Sequence, residues 1–147
     1  TLERLESLGA PVIGYGSRRF PALYAADSGL RLNASVDGPE QAAELAQAHW
    51  QLGGQGIVLA VPPPAEEAIE FKEVEAWIAQ AQEEAESRQI GGQELTPYLL
   101  ERVTDLSGGR SLKANLALLK NNARIAAQIA AELDSPRGDF GLLPRSA

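Results

Sequence analysis

A helix-rich α/β fold is what this sequence predicts: short strands in a mixed or parallel sheet, flanked by helices and ending in a helical hairpin. Three observations lead there. The run "GIVLAV" at 56–61 is continuously apolar, the pattern of a strand in a sheet covered on both faces. The stretches at 66–88 and 96–133 repeat their apolar residues with a helical period of about 3.6. Gly and Pro clusters punctuate the chain between these segments, so helix and strand alternate.

Each element follows from its own residues. "LERLESL" at 2–8 predicts a helix with Leu2, Leu5 and Leu8 inward, stopped by Gly9 and Pro11. "PVIGY" at 11–15 reads as a short buried strand, and "GSRRFPALY" as a loop leading to another extended piece. "GYG" at 14–16 lacks the third glycine, the following helix and the downstream acid of a dinucleotide fingerprint, and reads as a turn. "DGPEQAAELAQAHWQL" starts a helix, with Pro39 at the first helical position and Glu40 near the positive helix end. Gly53 and Gly54 stop it. After the strand at 56–61, "PPP" at 62–64 ends the extended run.

Residues 66–88 predict a second, acidic helix with Ile69, Val74, Trp77, Ile78 and Ala81 inward. Glu66 and Glu67 read there as first-turn acids, because neighbouring helical residues diverge and cannot form a carboxylate pair. "IGGQEL" turns the chain, and Thr96 as cap with Pro97 just inside opens a helix that runs to Ser107. Gly108 and Gly109 separate it from the last helix, which makes the hairpin. "DSPRGDFGLLPRSA" has turn chemistry without periodicity, so residues 134–147 read as a tail or linker and 1–133 as the folded unit.

The last helix carries an anomaly. At about 100° per residue, Leu112, Leu116, Leu119, Ala126, Ile129 and Leu133 share one half of the helical wheel, with Lys113, Lys120 and Arg124 opposite. Asn115 and Asn122 lie within about 20° of each other and point into the middle of that apolar half, whereas Asn121 points elsewhere. An amide removed from water without partners costs about 1–3 kcal/mol. Each amide therefore satisfies a backbone group or a partner helix, or else one of them faces a ligand.

Composition narrows the chemistry. A chain of 147 residues that is 44% hydrophobic suits one domain or part of one. Its 13 basic and 20 acidic residues give a net charge of −7, which argues against a nucleic-acid footprint or a basic membrane-binding face. The absence of cysteine excludes disulfides, thiolate metal sites and cysteine nucleophiles, and a single histidine excludes an imidazole-rich metal site. That histidine, His49, stands beside Trp50 near a helix end, where a hydrogen-bonded or partly exposed ring is expected. The chain has no methionine and opens directly in a helical pattern, so it is expected to be a piece of a longer protein, with any targeting segment upstream. No run reaches the length of a membrane span.

The blocks "TLERLESLGAPVIGYGSRRFPALY", "HWQLGGQGIVLAVPPP" and "TPYLLERVTDLSGGRSLKANLALLKNNARIAAQIA", in this order and spacing, resemble the C-terminal half of the pseudouridine-5′-phosphate glycosidase family, also called indigoidine synthase A-like. The resemblance covers residues 1 to about 133 and implies part of a larger α/β/α domain. It implies an enzyme that converts pseudouridine 5′-phosphate and water to uracil and ribose 5-phosphate, reversibly, through a lysine Schiff base at the sugar C1′. It also implies a manganese ion held through an aspartate, a cytoplasmic homotrimer, and an N-terminal half that carries the lysine, the acid glutamate and the manganese ligand. No catalytic and no metal residue is then expected in this chain, and Lys72, Lys113 and Lys120 lie outside the lysine motif. Asn115, in "SLKAN", matches the family asparagine that hydrogen-bonds uracil, and Asn122 is expected to support it.

Two positions depart from the family. Val61, in "LAVPPP", replaces the amide of the usual "ANP", and Arg18 and Arg19 follow "GYG" where acidic or mixed residues are usual. The arginines could face solvent, a neighbouring subunit or phosphate, and solvent is the expectation. Three functions follow: the substrate-binding half of a glycosidase, a non-catalytic uracil-binding module, or an oligomerisation fragment in which the asparagines only satisfy a helix interface.

Overall fold

The structure, a computed structural model, describes residues 2–134. Its elements in order are α1 (Leu2–Ser7), β1 (Val12–Tyr15), β2 (Ala34–Val36), α2 (Pro39–Gln51), β3 (Val58–Ala60), α3 (Phe71–Ser87), a 3-10 turn at Gly92–Glu94, α4 (Leu95–Leu106) and α5 (Arg110–Asp134). The three strands form a parallel sheet in the order β2-β1-β3, with Ile13 opposite Ala34 on one side and Leu59 on the other. Helix α2 carries the chain from β2 past β1 to β3 on the opposite edge, the kind of crossover that parallel strands require. The α/β class and the closing α4–α5 hairpin stand as expected.

The strand β2 has no apolar run to announce it. Its three residues, Ala34, Ser35 and Val36, are held by β1, and the Gly16 N–H continues the ladder to the Val36 carbonyl at 2.8 Å. Between β1 and β2 the chain folds back on itself, with Arg19 bridging Arg31 and the Ser28 hydroxyl donating to the Phe20 carbonyl at 2.7 Å. Gly14 is required in β1, because a Cβ there would run into the Ser17 carbonyl as the chain turns. Of "GYG", read as a turn, Gly14 and Tyr15 instead end β1, and only Gly16, at φ +66°, begins the bend.

Several boundaries differ. β3 is shorter than 56–61 and stands at an edge of the described sheet, so Val58 is exposed rather than covered on both faces. Leu8 is exposed because α1 ends at Ser7. α3 begins at Phe71, not 66, because the Pro-rich entry is spent in a turn in which the Glu67 N–H donates to the Pro64 carbonyl at 2.9 Å. Glu66 and Glu67 are therefore not first-turn acids. Ile69 is buried just ahead of the helix, and Val74, Ala81 and Ala85 form its inward line with Trp77 and Ile78 packed beside them. Thr96 does not cap α4, because the 3-10 turn runs directly into the helix and moves its start to Leu95.

The largest difference concerns α5. Its buried line runs through Ser111, Ala114 and Ile125, about 140° around the helix from the direction that Leu112, Leu116 and Leu119 mark. Small residues let α5 approach its neighbours in the chain closely, whereas Leu112, Leu116 and Leu119 are 50%, 50% and 56% exposed. Ala114 belongs to the helical core with Val74, Ala81 and Val103, and Ile129 packs on the sheet-side core of Ile13, Val36 and Ala42. Helix α5 thus joins the two cores. It includes Asp134, and the rest of the tail assigned to 134–147 lies outside the described residues.

Candidate functional site

The site grows out of the α4–α5 turn, "SGGRSLKAN". Gly108 and Gly109 adopt φ of +60° and +82°, a conformation that costs a residue with a side chain about 1–2 kcal/mol. It lets the Gly109 N–H reach the Thr104 carbonyl at 2.9 Å and the Gly108 N–H the Asp105 carbonyl at 3.0 Å, closing the end of α4. The Ser107 hydroxyl donates to the Thr104 carbonyl at 3.0 Å and accepts the Ser111 backbone N–H at 3.1 Å, which caps the first turn of α5. The Ser111 hydroxyl lies 3.1 Å from that of Ser107 and is fully buried with its partner satisfied.

Arg110 then ties α5 to α3. Its guanidinium donates to both carboxylate oxygens of Glu73, at 3.2 and 2.8 Å, and stands 5.2 Å from the Trp77 ring centroid. Glu73 and Trp77 are four residues apart on α3, so they present carboxylate and ring on one face. The hydrogen bonds from Arg110 hold the Glu73 carboxyl below its ordinary range, and Glu73 in turn raises Arg110. Lys113 reaches Glu67 at 2.9 Å. Ala114 is buried.

Asn115 is different. It sits half-buried at the border between the packed face and the exposed leucines, with Leu112 one turn before it and Leu119 one turn after. Among the described residues its amide has no hydrogen-bond partner, while Ser107, Arg110, Ser111 and Lys113 of the same block all do. The expectation that Asn115 and Asn122 point into a buried apolar half is corrected: Leu112, Leu116 and Leu119 of that half are exposed, only its far end at Ile129 packs on a core, and Asn122 is exposed. Neither amide finds a backbone group or a partner helix among the described residues. Asn121 accepts from Arg124 at 2.7 Å.

The remaining candidates fall elsewhere. Lys72 and Lys120 are exposed and Lys113 is ion-paired, so none of the three is a desolvated nucleophile. Arg18 and Arg19 face solvent, Arg19 lying 3.5 Å from Asp27. Val61 is half-buried just beyond β3. The His49 ring packs over Gly54, where any Cβ would collide with it, and its Nε2 is buried without a partner, so the ring fills space rather than meeting a hydrogen bond. Among the described residues, no group of three or more His, Asp or Glu is arranged to hold a metal ion. A cavity of about 190 Å³ opens between the sheet, α2 and the end of α5, lined by Val36, Trp50, Leu59, Ile129 and Leu133. Its apolar walls offer nothing to read a polar base edge.

Of the turn and clamp residues, Ser107, Ser111 and Glu73 were given no role from the sequence, and Trp77 was read only as an inward core position. The serines flanking two glycines carried a usable signal, because a hydroxyl on each side of such a turn is placed to cap both helices. Glu73 and Trp77 meet Arg110 across 37 and 33 residues of chain, which only the fold reveals.

The geometry can be set beside known proteins. A family profile described as Indigoidine synthase A like protein matches residues 1–132. Among curated relatives, the pseudouridine-5′-phosphate glycosidase of Caldanaerobacter subterraneus subsp. tengcongensis is 46% identical over 135 residues, 91% of this chain and 44% of that protein. That of Geobacillus kaustophilus is 46% identical over 134 residues, 90% of this chain and 44% of its own length. Among solved structures, the prealnumycin C-glycosynthase AlnA in complex with ribulose 5-phosphate superposes with a TM-score of 0.83 at 34% identity, over 90% of this chain and 44% of that one. An indigoidine synthase A-like protein of Thermotoga maritima gives 0.79 at 29% identity, over 92% and 44%. The chain spans a little under half the length of the relatives it matches.

Proposed function

Because the chain belongs to the indigoidine synthase A-like family, we propose that it forms the base-recognising part of a pseudouridine-5′-phosphate glycosidase. In this reading the whole enzyme converts pseudouridine 5′-phosphate and water to uracil and ribose 5-phosphate, reversibly. The lysine that forms the imine with C1′, the acid that protonates the base carbon and the manganese ligand come from the N-terminal part. The cytoplasmic homotrimer expected of the family belongs to the same proposal.

What supports a role for this chain is one observation: Asn115 is the polar side chain of its block left without a partner, on a helix end whose every other polar group is tied down. A side-chain amide supplies both a donor and an acceptor, and a uracil edge presents both in return. Leu112 and Leu119, above and below it, are apolar and suited to the faces of a planar ring. The proposed task of the chain is thus to bind and orient the base while the bond to C1′ is broken elsewhere in the site.

A graft tests it. Residues 1–134 of this chain replace the segment they match in the Geobacillus kaustophilus glycosidase, and uracil release from pseudouridine 5′-phosphate is followed by chromatography. Turnover that depends on Asn115 is the expected result. A folded graft that releases no uracil, or releases it regardless of Asn115, defeats the reading.

A further inference from the structure

Resting on the reading of Asn115 as the base-contacting amide, we infer that Arg110 is a positioning residue for substrate recognition. Clamped between Glu73 and Trp77, it fixes the rotation of the first turns of α5 and thereby the aim of Asn115. The need for such a device follows from how the helix end is seated. Beneath it lie Ser111 and Ala114, buried and small, so that the Ser107–Ser111 hydrogen bonds seat the first turn at one point rather than by broad side-chain packing. On its outer face, Leu112, Leu116 and Leu119 meet no cover among the described residues.

A side-chain tip stands about 5–6 Å from the helix axis, so a rotation of about 10° displaces it by about 1 Å. Misplacement on that scale can cost about a hundredfold in rate. The anchors against rotation come from the flank opposite Asn115: the paired hydrogen bonds of Arg110 to Glu73, its stacking over Trp77, and the Lys113–Glu67 pair at 2.9 Å. A planar guanidinium held at two oxygens and over a ring fixes direction as well as distance, which a lone ammonium does not. The clamp is about half exposed, so it contributes little to overall stability. Its consequence is geometric.

The fold supplies a matched control. Arg102 makes the same paired contact with Glu84, at 2.6 and 3.0 Å, but ties α3 to α4. In the graft, Arg110→Gln, Arg110→Lys, Arg102→Gln and Asn115→Leu are compared for thermal midpoint, kcat and KM with pseudouridine 5′-phosphate. Arg110→Gln is expected to raise KM by about fivefold or more, Arg110→Lys to restore part of the loss, and Arg102→Gln to lower the midpoint with KM unchanged. If Arg110→Gln leaves KM unchanged while Asn115→Leu raises it, the clamp is not a positioning device and the base-recognition reading survives. If neither moves KM or kcat, that reading falls and this inference with it. An equal KM rise in Arg110→Gln and Arg102→Gln would mean general loosening and would overturn the assignment. Should Arg110→Gln not fold, Glu73→Ala removes the same two hydrogen bonds from the α3 side and is read in the same way.

Discussion

At the scale of a residue, Asn115 separates binding from folding. Its amide makes no hydrogen bond among the described residues, so Asn115→Leu removes no internal hydrogen bond and puts a better helix former in α5. In the graft the thermal midpoint is expected to hold or rise while kcat/KM falls about ten- to a hundredfold, the cost of about 1–3 kcal/mol for an unpaired polar edge in a closed site. A sharp loss of stability with unchanged kinetics in the surviving folded enzyme would make Asn115 a structural amide. The sequence already showed that two amides sat among leucines, but not which way the helix faced. A wheel weighs hydrophobicity alone, and here Ser111 and Ala114, small and unremarkable in the pattern, are what the neighbouring helices bury. The amide was legible and its surroundings were not.

At the scale of an element, the α3–α4 pair and the α4–α5 turn make separate predictions. Hydrogen bonds from Arg102, and then from Gln80, lower the Glu84 carboxyl from 4.5 to about 2. A carboxylate with a depressed folded value stabilises fully above its unfolded value and loses that contribution as pH falls through the folded one. Urea melts followed by circular dichroism should therefore weaken between about pH 4.5 and 2. Arg102→Gln should flatten part of that slope, and an unchanged slope would remove Glu84 from the account. The effect is small because the pair is partly solvated. Gly109, at φ +82° with open space where a Cβ would go, should cost about 1–2 kcal/mol on replacement by Ala, through backbone strain alone. A neutral Gly109→Ala would show that the turn can relax. Helices with strong local signals, such as Pro39 at the start of α2, were readable in advance. The strand β2 was not, since three residues of Ala, Ser and Val become a strand only by pairing with β1.

At the scale of the whole molecule, the exposed leucines of α5 and the edge of β3, unpaired among the described residues, leave open apolar surface of the kind that drives association. The chain expressed alone should self-associate in size-exclusion chromatography and release no uracil from pseudouridine 5′-phosphate. Leu112→Lys with Leu119→Lys should shift it toward monomer, and a compact monomer from the unaltered chain would argue against a sticky face. No helix among the described residues is long and apolar enough to cross a membrane. One feature of the architecture also governs how this molecule comes apart. The 25 residues of α5 reach about 37 Å, with Ala114 in one core and Ile129 on the other. Neither core can open widely without fraying the helix they share, so native-state hydrogen exchange should show both melting as one cooperative unit. The slowest amides are expected in the middle of α5, where a deuterium label would enter last.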